Sequence, residues 1–286
     1  MKHISIFLIL IFCCLSFSPL AAQLYCTKQN KELCELKLKG LEAKSWNGQE
    51  IGNIATQVGK EFLGTPYVGK TLEVGEDEQL VIDLQGLDCT TFIENVIVFS
   101  RLIKDKKLDF DSFQQELKFL RYRDGKLDNY TSRLHYFTEW ISNNESKGII
   151  KDISQDIGGQ SYDKHINFMS THRSAYAQLS SDIFLGEIKE VEQKLNQKKR
   201  YFLPKHKVSE LEKGIQSGDL IAITTSIKGL DVSHTGMAIE LNGRIHLLHA
   251  SSISKKVEIS AVPLADYLQK SKSQSGIMVC RLMENV

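Results

Sequence analysis

The sequence predicts an α+β fold in which a buried helix that begins at a cysteine packs on an antiparallel sheet. A stretch from Leu87 to Val96 leads from a loop through Cys89 into a strongly apolar helix. The C-terminal third has the pattern of apolar strands, and Asn242–Gly243 between two of them is typical of a tight hairpin turn. The chain between these two parts is mostly helical in pattern, which predicts a large helical insertion over residues 110–204.

The first 22 residues have the pattern of a secretory signal peptide. Lys2 precedes an apolar run from Ile4 to Phe17, and Ala21–Ala22 provides small residues for cleavage. The run is short for a membrane-spanning helix, and the rest of the sequence offers no other candidate. We therefore expect an exported, periplasmic protein in which residues 23–286 form a single domain, without a membrane span.

Composition and charge narrow the classes of partner. The chain is 42% hydrophobic and 25% charged, which is ordinary for a globular protein. Cleavage would remove Lys2 and no acid, so Lys+Arg would fall from 36 to 35, against 35 Asp+Glu. This balance argues against a nucleic-acid partner and gives no support to electrostatic membrane binding.

Four cysteines follow the expected cleavage point, and they divide into three groups. Cys26 and Cys34 are close in sequence, so a disulfide between them is plausible in an oxidising compartment. Cys280 lies in an apolar strand pattern and is expected in the core. Cys89 is left as the candidate free, reactive thiol.

The elements that precede and contain Cys89 follow from apolar spacing. Ile51 to Leu63 has helical spacing, and the Gly/Pro turn Gly64–Tyr67 ends that helix. Residues 70–82 have an extended pattern. From Thr90 to about Ile103 the apolar positions cover so much of the helix that it must be buried. The Cys89 thiol would therefore be fixed by a rigid core element.

The position of Cys89 at a helix start favours a nucleophile. The first backbone N–H groups of a helix have no intrahelical partner, and the helix dipole is positive there. Both effects stabilise a thiolate, and a thiolate attacks carbonyl carbon at neutral pH. The alternative is a buried structural cysteine, which is common.

The insertion is expected to contain two helices over residues 109–146 and a further helix over 180–196. Asp109 or Asp111 could cap the first, and the second would span Tyr130 to Ile141. Residues 201–205 have the pattern of a short extended segment.

One cluster on the second of these helices has two interpretations. Arg133, His135, Tyr136 and Trp140 are long polar or aromatic groups close together in sequence. They could contact substrate, or they could be an ordinary solvated helix face with one packed tryptophan. Composition alone leaves both open.

The predicted hairpin brings two histidines together. If Asn242–Gly243 is a two-residue loop, His249 lies opposite Gly236, and His234 is two residues away on the same face. His234 and His249 then become diagonal neighbours, whereas His246 points to the other face. A three-residue loop would exchange the roles of His246 and His249.

A cysteine at a helix start with two converging histidines has the composition of a nucleophile, a base and a group that orients the base. A zinc site formed by Cys89, His234 and His249 is the alternative. No fourth ligand or short-spaced Cys/His pair supports it. We therefore expect neither a metal nor another cofactor.

Five motifs follow one another along the chain: Gly64–Thr65–Pro66–Tyr67, Asp88–Cys89–Thr90, Gly218–Asp219, His234 and His249–Ala250–Ser251. Taken in order, they resemble the NlpC/P60 superfamily of papain-like cysteine peptidases and amidases, over roughly residues 50 to 282. The chain departs from the family pattern at Thr91 and Lys70, where glycines are usual.

Two further motifs, Ser132 to Tyr136 and Lys228 to His234, make the chain similar to the DUF1460 amidases. That resemblance implies a papain-like core and hydrolysis of the N-acetylmuramoyl–L-alanine bond in muropeptides or other peptidoglycan fragments, by a protein expected to be monomeric. Cys89 would attack, His234 would act as base and then acid, and His249 would orient His234.

The resemblance also implies the remaining roles. Tyr67 and the Cys89 N–H would stabilise the oxyanion. Substrate contacts are assigned to Arg133, His135, Tyr136, Trp140 and Asp231. The same motifs fit a D-glutamyl–diamino acid endopeptidase, and a non-catalytic wall-binding module with this fold is an alternative of another class.

Overall fold

The computed structural model describes residues 24–284, so the expected signal peptide of residues 1–22 lies outside the described residues. The α-helices are α1 Lys28–Glu42, α2 Ile51–Lys60, α3 Cys89–Asp105, α4 Phe110–Arg121, α5 Phe137–Ser146, α6 Phe168–Thr171, α7 Asp182–Asn196, α8 Val208–Leu211 and α9 Leu264–Gln269. The strands are β1 Leu24–Tyr25, β2 Leu80–Val81, β3 Ile150–Asp152, β4 Gln160–Ser161, β5 Tyr201–Pro204, β6 Leu220–Thr225, β7 Val232–Leu241, β8 Arg244–Ser251, β9 Lys256–Ile259 and β10 Gln274–Leu282.

An antiparallel sheet organises the molecule. Its strands follow the order β4-β5-β10-β6-β7-β8-β9, and β3 also pairs with β10. The β7–β8 hairpin turns through Asn242 and Gly243, whose φ angles of 52° and 75° suit a two-residue turn of the primed type. Leu241 pairs with Arg244, which confirms the predicted register.

Helices cover both faces of this sheet. On one face α3 packs against α2, α4 and β7, and its apolar residues, Phe92 and Val96 among them, are fully buried. On the other face Leu264 and Leu268 of α9 join a core formed by β6, β7, β8 and β10. The α+β class predicted from the sequence is confirmed, and the predicted Cys89 helix is α3.

The insertion is less helical than predicted. Residues 110–204 contain β3, β4 and β5 as well as helices, and β5 pairs with β10 through Leu203 and Pro204. The insertion therefore extends the main sheet, while α6 and α7 enclose a core of their own around Tyr136, Ile166 and Ile188. The extended segment predicted over residues 201–205 is β5, which is therefore confirmed. The shorter β3 and β4 depend on pairing with distant strands, so local periodicity does not detect them.

The second predicted helix of the insertion starts later than expected. Asp109 caps α4 as predicted, since its side chain accepts from the Ser112 N–H at 2.8 Å. However, α5 begins only at Phe137. The Asn129 side chain instead caps a single 3₁₀ turn, and Arg133 is extended and forms a bridge with Tyr122.

One smaller expectation is wrong. In the extended pattern over residues 70–82 only Leu80–Val81 is a strand, because positive φ angles at Lys70 and Gly75 turn the chain. The disulfide between Cys26 and Cys34, which the sequence left open, is not formed, since both are free thiols and Cys34 is buried in α1. Cys280 is buried in β10 as expected.

No helix in residues 24–284 is long and apolar enough to cross a membrane.

Candidate active site

The start of α3 is fixed by a capping box. Asp88 Oδ1 accepts from the backbone N–H groups of Thr90 and Thr91, at 3.1 and 2.7 Å. The Thr91 hydroxyl in turn accepts from the Asp88 N–H at 2.9 Å. Thr91 therefore has a structural use where a glycine was expected, and Cys89 is held as the first residue of the helix.

The Cys89 thiol lies in a half-buried position against Thr235 of β7. Burial raises the pKa of the Cys89 thiol, and the Asp88 carboxylate adds to the rise, while Thr235 and Thr90 act in the opposite direction. Burial therefore opposes the stabilisation of a thiolate that the helix start favours. A neutral thiol needs a base to become a nucleophile.

His234 and His249 form the pair that the hairpin register predicts. His234 Nε2 and His249 Nδ1 are 2.6 Å apart, with the rings nearly perpendicular. His249 is 1% exposed, whereas His234 is half-buried. His246 points away from this pair, and its Nδ1 lies 2.8 Å from the carbonyl oxygen of Ser260. The structure thus brings His249, rather than His246, to His234.

Both imidazoles of the pair are neutral at pH 7. Burial lowers the pKa of His234 to about 4. Burial and the neighbouring His234 lower the pKa of His249 to about 3, although Glu258 opposes the shift. Because the contact uses Nε2 of His234, its Nδ1 remains available to accept a proton.

Cys89 is connected to the histidine pair through two neighbouring residues rather than by a direct hydrogen bond. Thr235, the residue after His234, interacts with the thiol. Tyr267, whose pKa is raised in part by Cys89, has its ring 5.5 Å from that of His249. Within residues 24–284 no hydrogen bond joins the Cys89 sulfur to His234. Catalytic hydrogen bonds are often long without substrate and tighten when substrate binds.

Tyr67 is held beside Cys89 by the segments on either side. Its backbone N–H donates to Lys255 at 2.8 Å, and it bridges Leu87, two residues before Cys89. Burial raises the pKa of the Tyr67 hydroxyl, and Cys89 and Asp88 add to the rise. The hydroxyl is therefore a protonated donor at neutral pH. The turn continues through Lys70, whose φ of 63° explains why a glycine is usual there.

Arg133 and Trp140 are not on an open face. The Arg133 side chain is 6% exposed and lies 2.7 Å from Glu73 and 3.3 Å from Glu78. Trp140 is fully buried, stacked on Phe137, with its indole N–H 3.3 Å from Glu94. Trp140 therefore offers no free face for stacking on a sugar.

Tyr136 and Asp231 also have internal partners. The Tyr136 hydroxyl donates to Glu192 and accepts from the Met169 N–H, both at 2.7 Å. Asp231 is buried and accepts from the backbone and hydroxyl of Thr138, both at 2.8 Å. These contacts tie α5 to the start of β7 and to the core of the insertion.

His135 and Arg133 are the members of the predicted set that border the site. Both line a pocket with Asp88 and Thr90, the residues on either side of Cys89. His135 Nε2 lies 2.7 Å from the Tyr130 carbonyl, and burial lowers the pKa of His135 to about 3.

Sequence reasoning missed three residues near the histidine pair. Thr235 touches the Cys89 thiol, Tyr267 of α9 lies edge-on to His249 at 5.5 Å, and Glu258 lies opposite His249 in the β8–β9 pairing. The adjacency of Thr235 to His234 was the available signal. The positions of Glu258 and Tyr267 depend on how β9 and α9 dock, which no local pattern gives. Among the described residues, no group of three His, Cys, Asp or Glu side chains could hold a metal ion.

The model of the AmiA-like family, described as N-acetylmuramoyl-L-alanine amidase-like, matches residues 57–277. The chain belongs to this amidase-like family. The match contains Cys89, His234 and His249, so the geometry above lies within the family region.

Solved structures agree with this assignment. A crystal structure of an N-acetylmuramoyl-L-alanine amidase from Bacteroides uniformis is 38% identical, covering 82% of this chain and 99% of that chain, with a TM-score of 0.78. A Bacteroides fragilis structure described as a putative xylanase is also 38% identical, covering 79% and 100%, with a TM-score of 0.75. A Legionella pneumophila protein of the DUF1460 family model, 24% identical over 89% and 95%, shares the fold with a TM-score of 0.68. No curated protein matches the chain.

Proposed function

We propose that this protein hydrolyses the N-acetylmuramoyl–L-alanine amide bond of muropeptides through a thioester on Cys89. The observation that carries the proposal is the His234–His249 pair, together with a cysteine that is held at the start of α3 and contacts Thr235 and Tyr267 near that pair. Membership in an N-acetylmuramoyl-L-alanine amidase-like family supports the choice of bond. The NlpC/P60 type of core is part of the proposal, and so is an exported, periplasmic location.

The first half of the reaction forms the acyl-enzyme. The thiol proton passes to His234 Nδ1 as the sulfur attacks the muramoyl carbonyl carbon. A carbon–sulfur bond forms, and the carbonyl electrons move to oxygen. When the tetrahedral intermediate collapses, the carbon–nitrogen bond breaks and His234 gives its proton to the alanine nitrogen.

The second half releases the sugar. Water attacks the thioester carbonyl, with His234 again taking a proton, and the sulfur leaves as the proton returns to it. The products are a free muramoyl carboxylate and a peptide with a free L-alanine amine. Because the Cys89 pKa is raised and the His234 pKa is lowered, proton transfer is coupled to attack in this scheme.

Two donors are proposed for the oxyanion. The Cys89 backbone N–H is one of the unpartnered groups at the start of α3, and the Tyr67 hydroxyl lies beside Cys89 as a protonated donor. Removal of one oxyanion donor costs about 3 kcal/mol of transition-state stabilisation in enzymes of this kind. Tyr67→Phe keeps the ring and should therefore lower kcat far more than it raises KM.

The proposal is tested by the masses of the products from a defined muropeptide. An N-acetylmuramoyl–L-alanine amidase yields the free muramoyl sugar and the intact stem peptide. A D-glutamyl–diamino acid endopeptidase would instead yield a muramoyl dipeptide, and a non-catalytic wall-binding module would leave the substrate intact. Either of these two results would refute the proposed bond. Xylan should also be tested as a substrate, because the similar B. fragilis structure is described as a putative xylanase.

A further inference from the structure

The outer nitrogen of His249 is buried without a partner. Within the described residues, His249 Nε2 has no hydrogen bond, although the side chain is 1% exposed. Buried polar atoms in native proteins almost always have a hydrogen-bond partner, and a missing one destabilises the fold. Neither Cys89 nor His234 serves as the hydrogen-bond partner of this nitrogen, so another group must be considered.

Glu258 is the charged group closest to that nitrogen. It pairs with His249 across β8 and β9, and its Oε1 lies 4.0 Å from His249 Nε2. Its side chain is 32% exposed, and no hydrogen bond within residues 24–284 fixes it elsewhere. A side-chain rotation that moves Glu258 Oε1 by about 1 Å would bring it within hydrogen-bond distance of His249 Nε2.

The protonation pattern of the two rings follows from the proposed chemistry. His234 must present an unprotonated Nδ1 to the thiol, so its proton lies on Nε2. That proton is donated to His249 Nδ1, so the proton of His249 lies on its Nε2. The Nε2–H group of His249 is therefore the last donor in this series of hydrogen bonds, and it points toward Glu258.

We infer that Glu258 is a positioning residue that accepts a hydrogen bond from His249 Nε2 and so fixes the tautomers of both histidines. It also stabilises the imidazolium that forms at His234 when the thiol proton arrives. No proton moves to Glu258 at any step. The inference rests on the proposed function, because it assigns His234 as the base.

The other groups that face His249 do not replace this carboxylate. His234 of β7 occupies the inner nitrogen. Tyr267 of α9 presents its ring edge at 5.5 Å, and burial raises the pKa of its hydroxyl, so it carries no charge at neutral pH. The Cys89 thiol, close to Tyr267, is likewise neutral. Among the described residues, Glu258 is thus the carboxylate that lies within 4.0 Å of His249.

Two substitutions separate the two effects of Glu258. Glu258→Gln keeps an oxygen acceptor and removes the charge, whereas Glu258→Ala removes both. Glu240→Gln is the matched control, because Glu240 is an exposed carboxylate at the far end of β7. Thermal unfolding of each variant shows whether a change reflects the fold.

The expected results differ between the variants. For Glu258→Ala, kcat/KM on a muropeptide should fall by roughly tenfold, in line with other residues that orient a catalytic group. Glu258→Gln should lose less of kcat/KM than Glu258→Ala at the plateau of the pH profile. In both, the acid limb of the pH profile should move to lower pH, because loss of the anion makes His234 harder to protonate.

A second measurement needs no substrate. The rate at which iodoacetamide alkylates Cys89 at pH 7, read by peptide mapping, should also fall about tenfold in Glu258→Ala, because the imidazolium that accompanies thiolate formation is less stable. The inference is wrong if both Glu258 variants match Glu240→Gln in three quantities: the plateau value of kcat/KM, the position of the acid limb of its pH profile, and the alkylation rate of Cys89. A wild-type protein that alkylates as expected and does not cut muropeptides would overturn the proposed function instead.

Discussion

Replacement of Arg133 by alanine tests whether this residue serves stability or substrate binding. From the sequence, Arg133 was expected on an open helix face, where its loss would raise KM and leave folding nearly unchanged. In the structure the side chain is 6% exposed and lies against Glu78, which is 5% exposed, and against the more open Glu73. Arg133→Ala would leave Glu78 buried, with the Tyr122 hydroxyl at 2.9 Å as its hydrogen-bond partner among residues 24–284 and with Arg121 as the nearby cation.

The expected cost follows from the buried partner. Removal of one member of a buried ion pair typically costs about 3–5 kcal/mol, because the remaining charge loses its compensation. We expect a decrease of that order in the free energy of unfolding, measured by urea denaturation. Lys151→Ala is the control, because the Lys151–Asp156 pair is about half exposed and its loss should leave stability close to wild type.

The cost should depend on pH in a defined direction. Burial already raises the pKa of Glu78, while Arg133 opposes the rise. Without Arg133 the folded state holds the Glu78 proton more tightly than the unfolded state does. Stability therefore falls as pH rises through the folded-state pKa, so the penalty should be smaller near pH 4 than at pH 7.

A double replacement completes the test. Arg133→Met with Glu78→Gln removes both charges and keeps similar volumes, so it should recover most of the lost stability. An Arg133→Ala protein with wild-type stability and a raised KM on a muropeptide would refute this reasoning and restore the role expected from the sequence.

Three further predictions concern the histidine pair and the nucleophile. His249→Ala should lower kcat by at least about tenfold with little change in KM, while His246→Ala should stay near wild type; equal effects in steady-state kinetics would contradict the hairpin register. Gly236→Ala should destabilise the hairpin and reduce activity, since an added Cβ would lie 2.9 Å from the Leu248 carbonyl oxygen and 3.0 Å from the His249 Cβ; unchanged thermal unfolding would refute this. Thiol alkylation should abolish activity and chelators should leave it intact; loss with a chelator, restored by zinc, would favour a metal site.

The parts of the fold that the sequence predicted are those set by local rules. Apolar spacing predicted the Cys89 helix, and the Asn242–Gly243 turn predicted the register that pairs His234 with His249. Both signals come from adjacent residues and short-range geometry. The candidate nucleophile and both histidines could therefore be placed before the structure was known.

The parts that the sequence did not predict depend on distant partners. Arg133 appeared exposed because nothing local shows that Glu78, from a turn before Cys89, reaches it. β5 became part of the sheet only through β10, and Glu258 reached His249 only through β9. The raised pKa of Cys89 also comes from its burial in the folded chain, which no local pattern shows.

The central claim is that Cys89 is the nucleophile, and its direct test is Cys89→Ala on a defined muropeptide. The variant should fold like the wild type by circular dichroism, since the capping box depends on Asp88 and Thr91 rather than on the thiol. Mass spectrometry should then find free muramoyl sugar and intact stem peptide from the wild type and unchanged substrate from the variant. Products formed by a folded Cys89→Ala protein would contradict the mechanism.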